Sequence, residues 1–179
     1  MNRKSFFLCM LLLYPALLFA VDYDFMIKRE KMTFEWKIDG EKLHIQLGAK
    51  TKGWVGIGFN PVEHMKGANI LIGNVKKGKV SVRDDIGTDT ESHSSDTKKK
   101  GKSNVSDISG SEKDGYTELR FAIPLNSGDA KDTIIEPHKD TIVLLAYGRS
   151  DSFRLGHKFT AMLKVNLATG ASGDYDHHH

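Results

Sequence analysis

Cysteine is almost missing from this 179-residue chain, and the one that occurs, Cys9, lies in an apolar stretch near the start. Arg3 and Lys4 precede a nearly unbroken apolar run from Ser5 to Leu18, and Ala20 offers a small residue for cleavage. That pattern reads as an export signal over residues 1–20. A retained anchor would need a longer apolar run before acidic and polar sequence sets in. With the signal removed the chain has no cysteine. Disulfides, thiolate metal sites, iron–sulfur clusters and covalent CxxCH attachment of a cofactor are then excluded.

A large excess of one sign of charge is missing as well. Loss of Arg3 and Lys4 with the signal lowers the net charge from +3 to +1, which argues against a nucleic-acid partner. Catalytic signatures are absent too: no G-x-S-x-G elbow, no phosphate-binding P-loop, no H-E-x-x-H pair and no dinucleotide fingerprint. No run shows helical periodicity long enough to matter, and no fixed-period repeat or internal linker divides the chain. About 159 residues remain after cleavage, enough for one domain with a real core. We take that domain as residues 21–170. A flexible polar tail over 171–179 ends in His177 to His179, a native end or a tag remnant.

What is present is period-two patterning broken by turns. Met32, Phe34, Trp36 and Ile38 alternate with Thr33, Glu35 and Lys37, and Asp39-Gly40 then gives a hairpin signal. Leu43, Ile45 and Leu47 carry the return strand, with His44 on its polar face. Val80 to Val82, Val105 to Ile108, Tyr116 to Ile123 and Phe159 to Leu167 read as further strands. Ile142 to Tyr147 is the most continuous apolar run and reads as a central buried strand. Gly87 to Ser103 holds no large apolar residue and carries Lys98-Lys99-Lys100, so residues 86–103 read as an exposed, mobile loop. Asn104-Val-Ser106 matches the weak glycosylation acceptor pattern. The total is an all-β protein, an immunoglobulin-like two-sheet β-sandwich of about nine to eleven strands.

The stretch Gly53 to Gly73 stands apart. Trp54-Val-Gly-Ile-Gly-Phe59 alternates small and large residues, as in a strand with one face against a close neighbour. A polar break with His64 and Met65 follows, then the apolar run Ala68 to Ile72. Thioether and imidazole both bind transition metals or haem iron. Adjacent side chains in extended backbone point apart, so only one of His64 and Met65 is expected to face a pocket. His157, after the loop from Gly148 to Gly156, is a second ligand type, and loops distant in sequence gather at one end of a sandwich. On residues alone, the plainer reading is a packed loop methionine and a surface histidine. His93, in the polar loop, has no neighbour to work with, and Asp84-Asp85 without a third ligand reads as a solvated turn rather than a calcium site.

The blocks Gly53-Trp-Val-Gly-Ile-Gly-Phe-Asn-Pro61, Met65-Lys-Gly-Ala-Asn-Ile-Leu-Ile-Gly73 and Gly78-Lys-Val-Ser-Val-Arg-Asp-Asp85 resemble the DOMON domain family. The resemblance runs from about Met32 to Val165 and is densest between Gly53 and Asp85. It implies an extracytoplasmic β-sandwich, secreted or periplasmic, that binds haem or sugars. In the haem-binding branch, which is similar to the cytochrome domain of cellobiose dehydrogenase, a Met and a His ligate a non-covalent haem b. Here Met65 stands in the M-x-G-A-[DN] block and His157 in R-x-G-H, with Tyr147-Gly148 ahead of it. Lys158 is a rival, because a relative found with molybdenum dehydrogenases uses Met and Lys. Asn69 departs from the Asp of many members, and the long Lys/Ser/Thr-rich loop departs as well.

The resemblance thus implies an electron-transfer domain rather than an enzyme, with a redox partner protein and no membrane span. Two axial ligands leave no open position on the iron. Phe59, Tyr147 and Phe153 would wall a haem wedged between end loops, and Arg149, Arg154 or Lys66 would pair with a propionate. The alternative is a haem-free module for a carbohydrate or other small ligand, in which Trp54, Tyr147 and Asp85 would matter instead.

Overall fold

A computed structural model describes residues 22–175; the expected export signal over residues 1–20 and His177–His179 lie outside the described residues. The strands are β1 (Phe25–Arg29), β2 (Met32–Asp39), β3 (Lys42–Ala49), β4 (Val55–Phe59), β5 (Asn69–Lys76) and β6 (Lys79–Asp89). They continue as β7 (Ser92–Ser95), β8 (Ser106–Lys113), β9 (Tyr116–Pro124), β10 (Asp140–Gly148), β11 (His157–Asn166) and β12 (Ser172–Asp174). One 3-10 turn, Asp96–Lys99, follows β7. Two antiparallel sheets result, ordered β1-β2-β3-β9-β8 and β12-β11-β10-β4-β5-β6-β7. This is the expected all-β sandwich, with twelve strands among the described residues where about nine to eleven were expected.

Alternation decides what lies between the sheets. Met32, Phe34 and Trp36 of β2 and Leu43, Ile45 and Leu47 of β3 are fully buried, facing Val55, Ile57 and Phe59 of β4 and Val143, Leu145 and Tyr147 of β10. Burying one such large side chain contributes about 1.5–3 kcal/mol. Phe34 stacks on Trp36 with ring centroids 4.5 Å apart, and the Trp36 indole N–H donates to the Leu167 carbonyl at 2.9 Å. That bond satisfies the one polar atom of the buried Trp36 ring. The Asp39-Gly40 turn lies where the sequence puts it, with Gly40 at φ +58°.

Three expectations need correction. Residues 86–103 do not form a mobile loop: β6 runs on to Asp89, β7 pairs back along it, and the 3-10 turn follows. A strand lacking apolar side chains still satisfies its backbone groups through the ladder, so polarity alone does not exclude it. The tail is not wholly flexible, because Ser172–Asp174 pairs with Leu163–Val165 and Arg29 bonds Asp174 at 3.0 Å. Finally, Asp84-Asp85 is no solvated turn. Both carboxylates are buried within β6, at 3% and 0% exposure, on opposite faces of the strand.

Candidate functional site

The outer face of the seven-stranded sheet carries the site. Residues that alternate with the core-facing ones on β4, β5, β10 and β11 form a floor: Gly56 and Gly58, Ile70 and Ile72, Leu144 and Ala146, Thr160 and Met162. Over it lies a cleft of about 900 Å³. The glycines remove side-chain bulk from the middle of this floor. A Cβ on Gly58 would stand 3.1 Å from the Leu144 side chain, and one on Gly56 would stand 3.2 Å from the Leu71 carbonyl oxygen. The continuous apolar run of β10 is now explained. One of its faces builds the core and the other builds the floor, so Leu144 and Ala146 are only half-buried.

Met65 and His157 both line this cleft. They reach it from opposite ends of the strands, not from one cluster of end loops. Met65 belongs to the β4–β5 connection beyond Phe59, whereas His157 pairs with Gly148 at the end of β10 that neighbours Val55. Met65 is half-buried and His157 exposed. The Met65 loop is pinned through its backbone: Met65 N–H donates to Thr90 at 3.3 Å, Gly67 N–H to Gly87 at 2.8 Å, and Gly87 N–H to Ala68 at 2.9 Å. His64 lines the cleft as well, against expectation. Its φ of +50° breaks the extended backbone that would have turned neighbouring side chains apart.

Of the expected walls, Phe153 lines the cleft, but Phe59 and Tyr147 do not. Both share the inward face of their strands and are closed into the core, at 0% and 2% exposure, with Tyr147 stacked on Phe159 at 5.3 Å. Period two put them there: Phe59 follows the outward Gly58, and Tyr147 follows the outward Ala146. Among the expected cations Arg154 lines the cleft, whereas Arg149 and Lys66 do not. The residues of the carbohydrate alternative separate likewise. Trp54 borders the cleft, Tyr147 lies in the core, and Asp85 is fully buried and already bonded.

One end of the cleft is polar and cationic. Glu91, His93, Phe153 and Arg154 at this end also line a side pocket of about 340 Å³, together with Arg83 and Lys98. Arg83 holds Asp85 with two bonds of 2.6 and 2.5 Å, and His93 Nδ1 meets the same carboxylate at 2.5 Å. Burial pushes Asp85 up, but the bonds from His93 and Arg83 together outweigh it and hold the carboxyl below its usual range. Arg83 also lies over the Phe153 ring, 5.1 Å from its centroid. Sequence reasoning missed His93 because its partner Asp85 lies on the paired strand β6, eight positions away, and missed Arg83 although Asp85 stands only two residues along the same strand. The Arg-Asp-Asp block of β6 was the one available signal.

The class so defined is an antiparallel β-sandwich domain with a broad apolar cleft, a thioether and an imidazole on its walls and cations at one end. A family model for the DOMON domain matches residues 28–148, and the chain belongs to the DOMON domain family. It is 27% identical over 139 residues to the human protein named putative DBH-like monooxygenase protein 2, covering 76% of this chain and 26% of that one. Mouse DBH-like monooxygenase protein 1 is 37% identical over 54 residues, 30% of this chain and 9% of that one. The chain thus spans about a quarter or less of the length of these curated relatives. In fold it is similar to the cytochrome b domain of pyranose dehydrogenase from Coprinopsis cinerea, with a TM-score of 0.59, 12% identity and 78% of each chain covered. No helix among the described residues is long and apolar enough to cross a membrane.

Proposed function

We propose that this DOMON domain is an exported electron-transfer domain that holds a non-covalent haem b in the cleft, with Met65 and His157 as the two iron ligands. The observation that carries the reading is that these two residues, far apart in sequence, stand on the walls of one apolar cleft. The similarity in fold to a cytochrome b domain supports it. The fit is consistent with the residues present. A cleft of about 900 Å³ is at the upper end of small-molecule sites, which run from about 300 to 1,000 Å³. Its floor is apolar and thinned by Gly56 and Gly58, which suits a flat, greasy ring.

When bound, haem supplies a one-electron carrier. The residues decide how it behaves. Met65 and His157 would both hold the iron, and a haem with two protein ligands would serve electron transfer rather than catalysis. The Met65 thioether favours the ferrous state and raises the potential relative to two imidazoles. Ile70, Ile72, Leu144 and Met162 exclude water from the floor. Arg154, with Arg83 and Lys98 beside it, offers charge-assisted bonds to carboxylate substituents at the cationic end. Export rests on the segment over residues 1–20, and a redox partner protein would supply and remove the electron.

Reconstitution tests the assignment. Wild-type protein offered haem is expected to give a sharp low-spin ferrous spectrum. Met65→Ala and His157→Ala are each expected to lose it and to bind haem at least tenfold more weakly. If both variants keep spectrum and affinity, these residues are not the ligands. If the wild type takes up no haem at all, the cleft serves another ligand.

A further inference from the structure

Opposite the cleft, on the inward face of β6, lies a second chemical centre. Asp84 shares the core-side face of its ladder partner Leu71 and meets Asp96, the first residue of the 3-10 turn, and Asp132, from the β9–β10 connection. One carboxylate oxygen from each of the three lies within 4.8 Å of the others. Asp84 and Asp96 are buried at 3% and 0% exposure, and Asp132 is half-buried. Three carboxylates do not gather in such a place without compensation.

The protein supplies little of it. Four oxygens find no hydrogen-bond donor: Asp84 Oδ1, both oxygens of Asp96, and Asp132 Oδ1. The seven ion pairs among the described residues include none of the three. The remaining oxygens are held from behind by one residue. Asn104 donates its backbone N–H to Asp84 Oδ2 at 2.8 Å and its side-chain amide to Asp132 Oδ2 at 2.7 Å. Asn104 therefore braces two carboxylates and leaves one free oxygen on each, while Asp96 contributes both of its own. A glycan on Asn104 would break this brace. Burial pushes both Asp84 and Asp96 up to about 7; repulsion from neighbouring carboxylates adds to it, and at Asp84 the Asn104 bond opposes it.

We propose that Asp84, Asp96 and Asp132 form a structural calcium site that ties the 3-10 turn and the β9–β10 connection to the edge of the seven-stranded sheet. Hard oxygen donors without nitrogen or sulfur select calcium or magnesium over transition metals. The irregular donor set favours calcium, which takes roughly six to eight oxygens in flexible geometry, whereas magnesium demands near-ideal octahedral coordination and keeps several waters. Four unpartnered carboxylate oxygens supply half to two-thirds of the roughly six to eight ligands calcium takes, and water or carbonyl oxygens complete the shell. Such a site is independent of whether the cleft holds haem. It also gives the polar segment over residues 96–104 a reason to be ordered without an apolar residue of its own.

The test uses the full chain, stripped with EDTA and then titrated with calcium or magnesium. Calcium is expected to bind one per chain by calorimetry, with a Kd of about 10⁻⁵–10⁻³ M. At calcium about a hundredfold above Kd the melting temperature is expected to rise by roughly 5–10 °C. Asp96→Asn and Asp132→Asn are each expected to abolish that rise while melting, without calcium, at or above the stripped wild type, because repulsion is relieved. The proposal is overturned if calcium up to 5 mM neither binds nor shifts the wild-type melt. It is equally overturned if magnesium acts as strongly, or if either variant keeps the full calcium response. Should a variant fail to fold, the wild-type calorimetry decides alone.

Discussion

Gly87→Ala is the sharpest probe of how the fold delivers Met65 to the cleft. Gly87 is buried near the end of β6, where the Met65 loop crosses it, and a methyl group there would land on the Met65 carbonyl. The obstacle is backbone, so no side-chain rotation relieves it. The loop must lift, and with it go the bonds from Gly67 N–H to Gly87 at 2.8 Å and from Gly87 N–H to Ala68 at 2.9 Å. At about 0.5–1.5 kcal/mol net for each bond, the loss comes to about 1–3 kcal/mol. For a domain of this size that lowers the melting temperature by roughly 2–12 °C. Gly78→Ala is the control: its φ is +77° but nothing stands within 4 Å, so it loses only backbone comfort, about 1 kcal/mol or roughly 2–4 °C. Thermal unfolding followed by circular dichroism compares the two. If Gly87→Ala melts no lower than Gly78→Ala, the clash does not govern the loop and the reasoning fails. If the cleft holds haem, Gly87→Ala is further expected to weaken the thioether signature while leaving His157 in place.

Other outcomes follow from the same geometry. Trp36→Ala removes a fully buried ring and orphans the Leu167 carbonyl, and urea unfolding is expected to show a loss of about 3–5 kcal/mol. Burial raises the Tyr23 phenol from 10.0 to about 12. Its stabilising contribution is therefore complete below pH 10 and is lost as pH rises through 12. Absorbance at 295 nm should show one phenol titrating near 12 in the wild type and none there in Tyr23→Phe, whose stability should fall less steeply between those values. Replacing Arg154 and Lys98 together by glutamine is expected to weaken haem uptake several-fold and to leave the absorption maxima unchanged, because neither is a ligand. A shifted spectrum would place them closer to the iron than we have argued.

The sequence by itself determined the class of fold and most of its core. Met32, Phe34, Trp36, Leu43, Ile45 and Leu47 had to share faces because a strand repeats every two residues, and Asp39-Gly40 had to turn between them. It also singled out Met65 and His157, through motif resemblance more than through any pattern of their own. Period two shows that a strand has two faces but not what covers each one. Only the pairing of β4 with β10 decided that Gly58 and Leu144 face the cleft while Phe59 and Tyr147 fill the core. Only tertiary structure gave His93 its carboxylate, added β12 from a polar tail, and gathered Asp84, Asp96 and Asp132 into one buried group. A polar side chain is buried or exposed according to partners brought by distant segments, and no local periodicity encodes those partners.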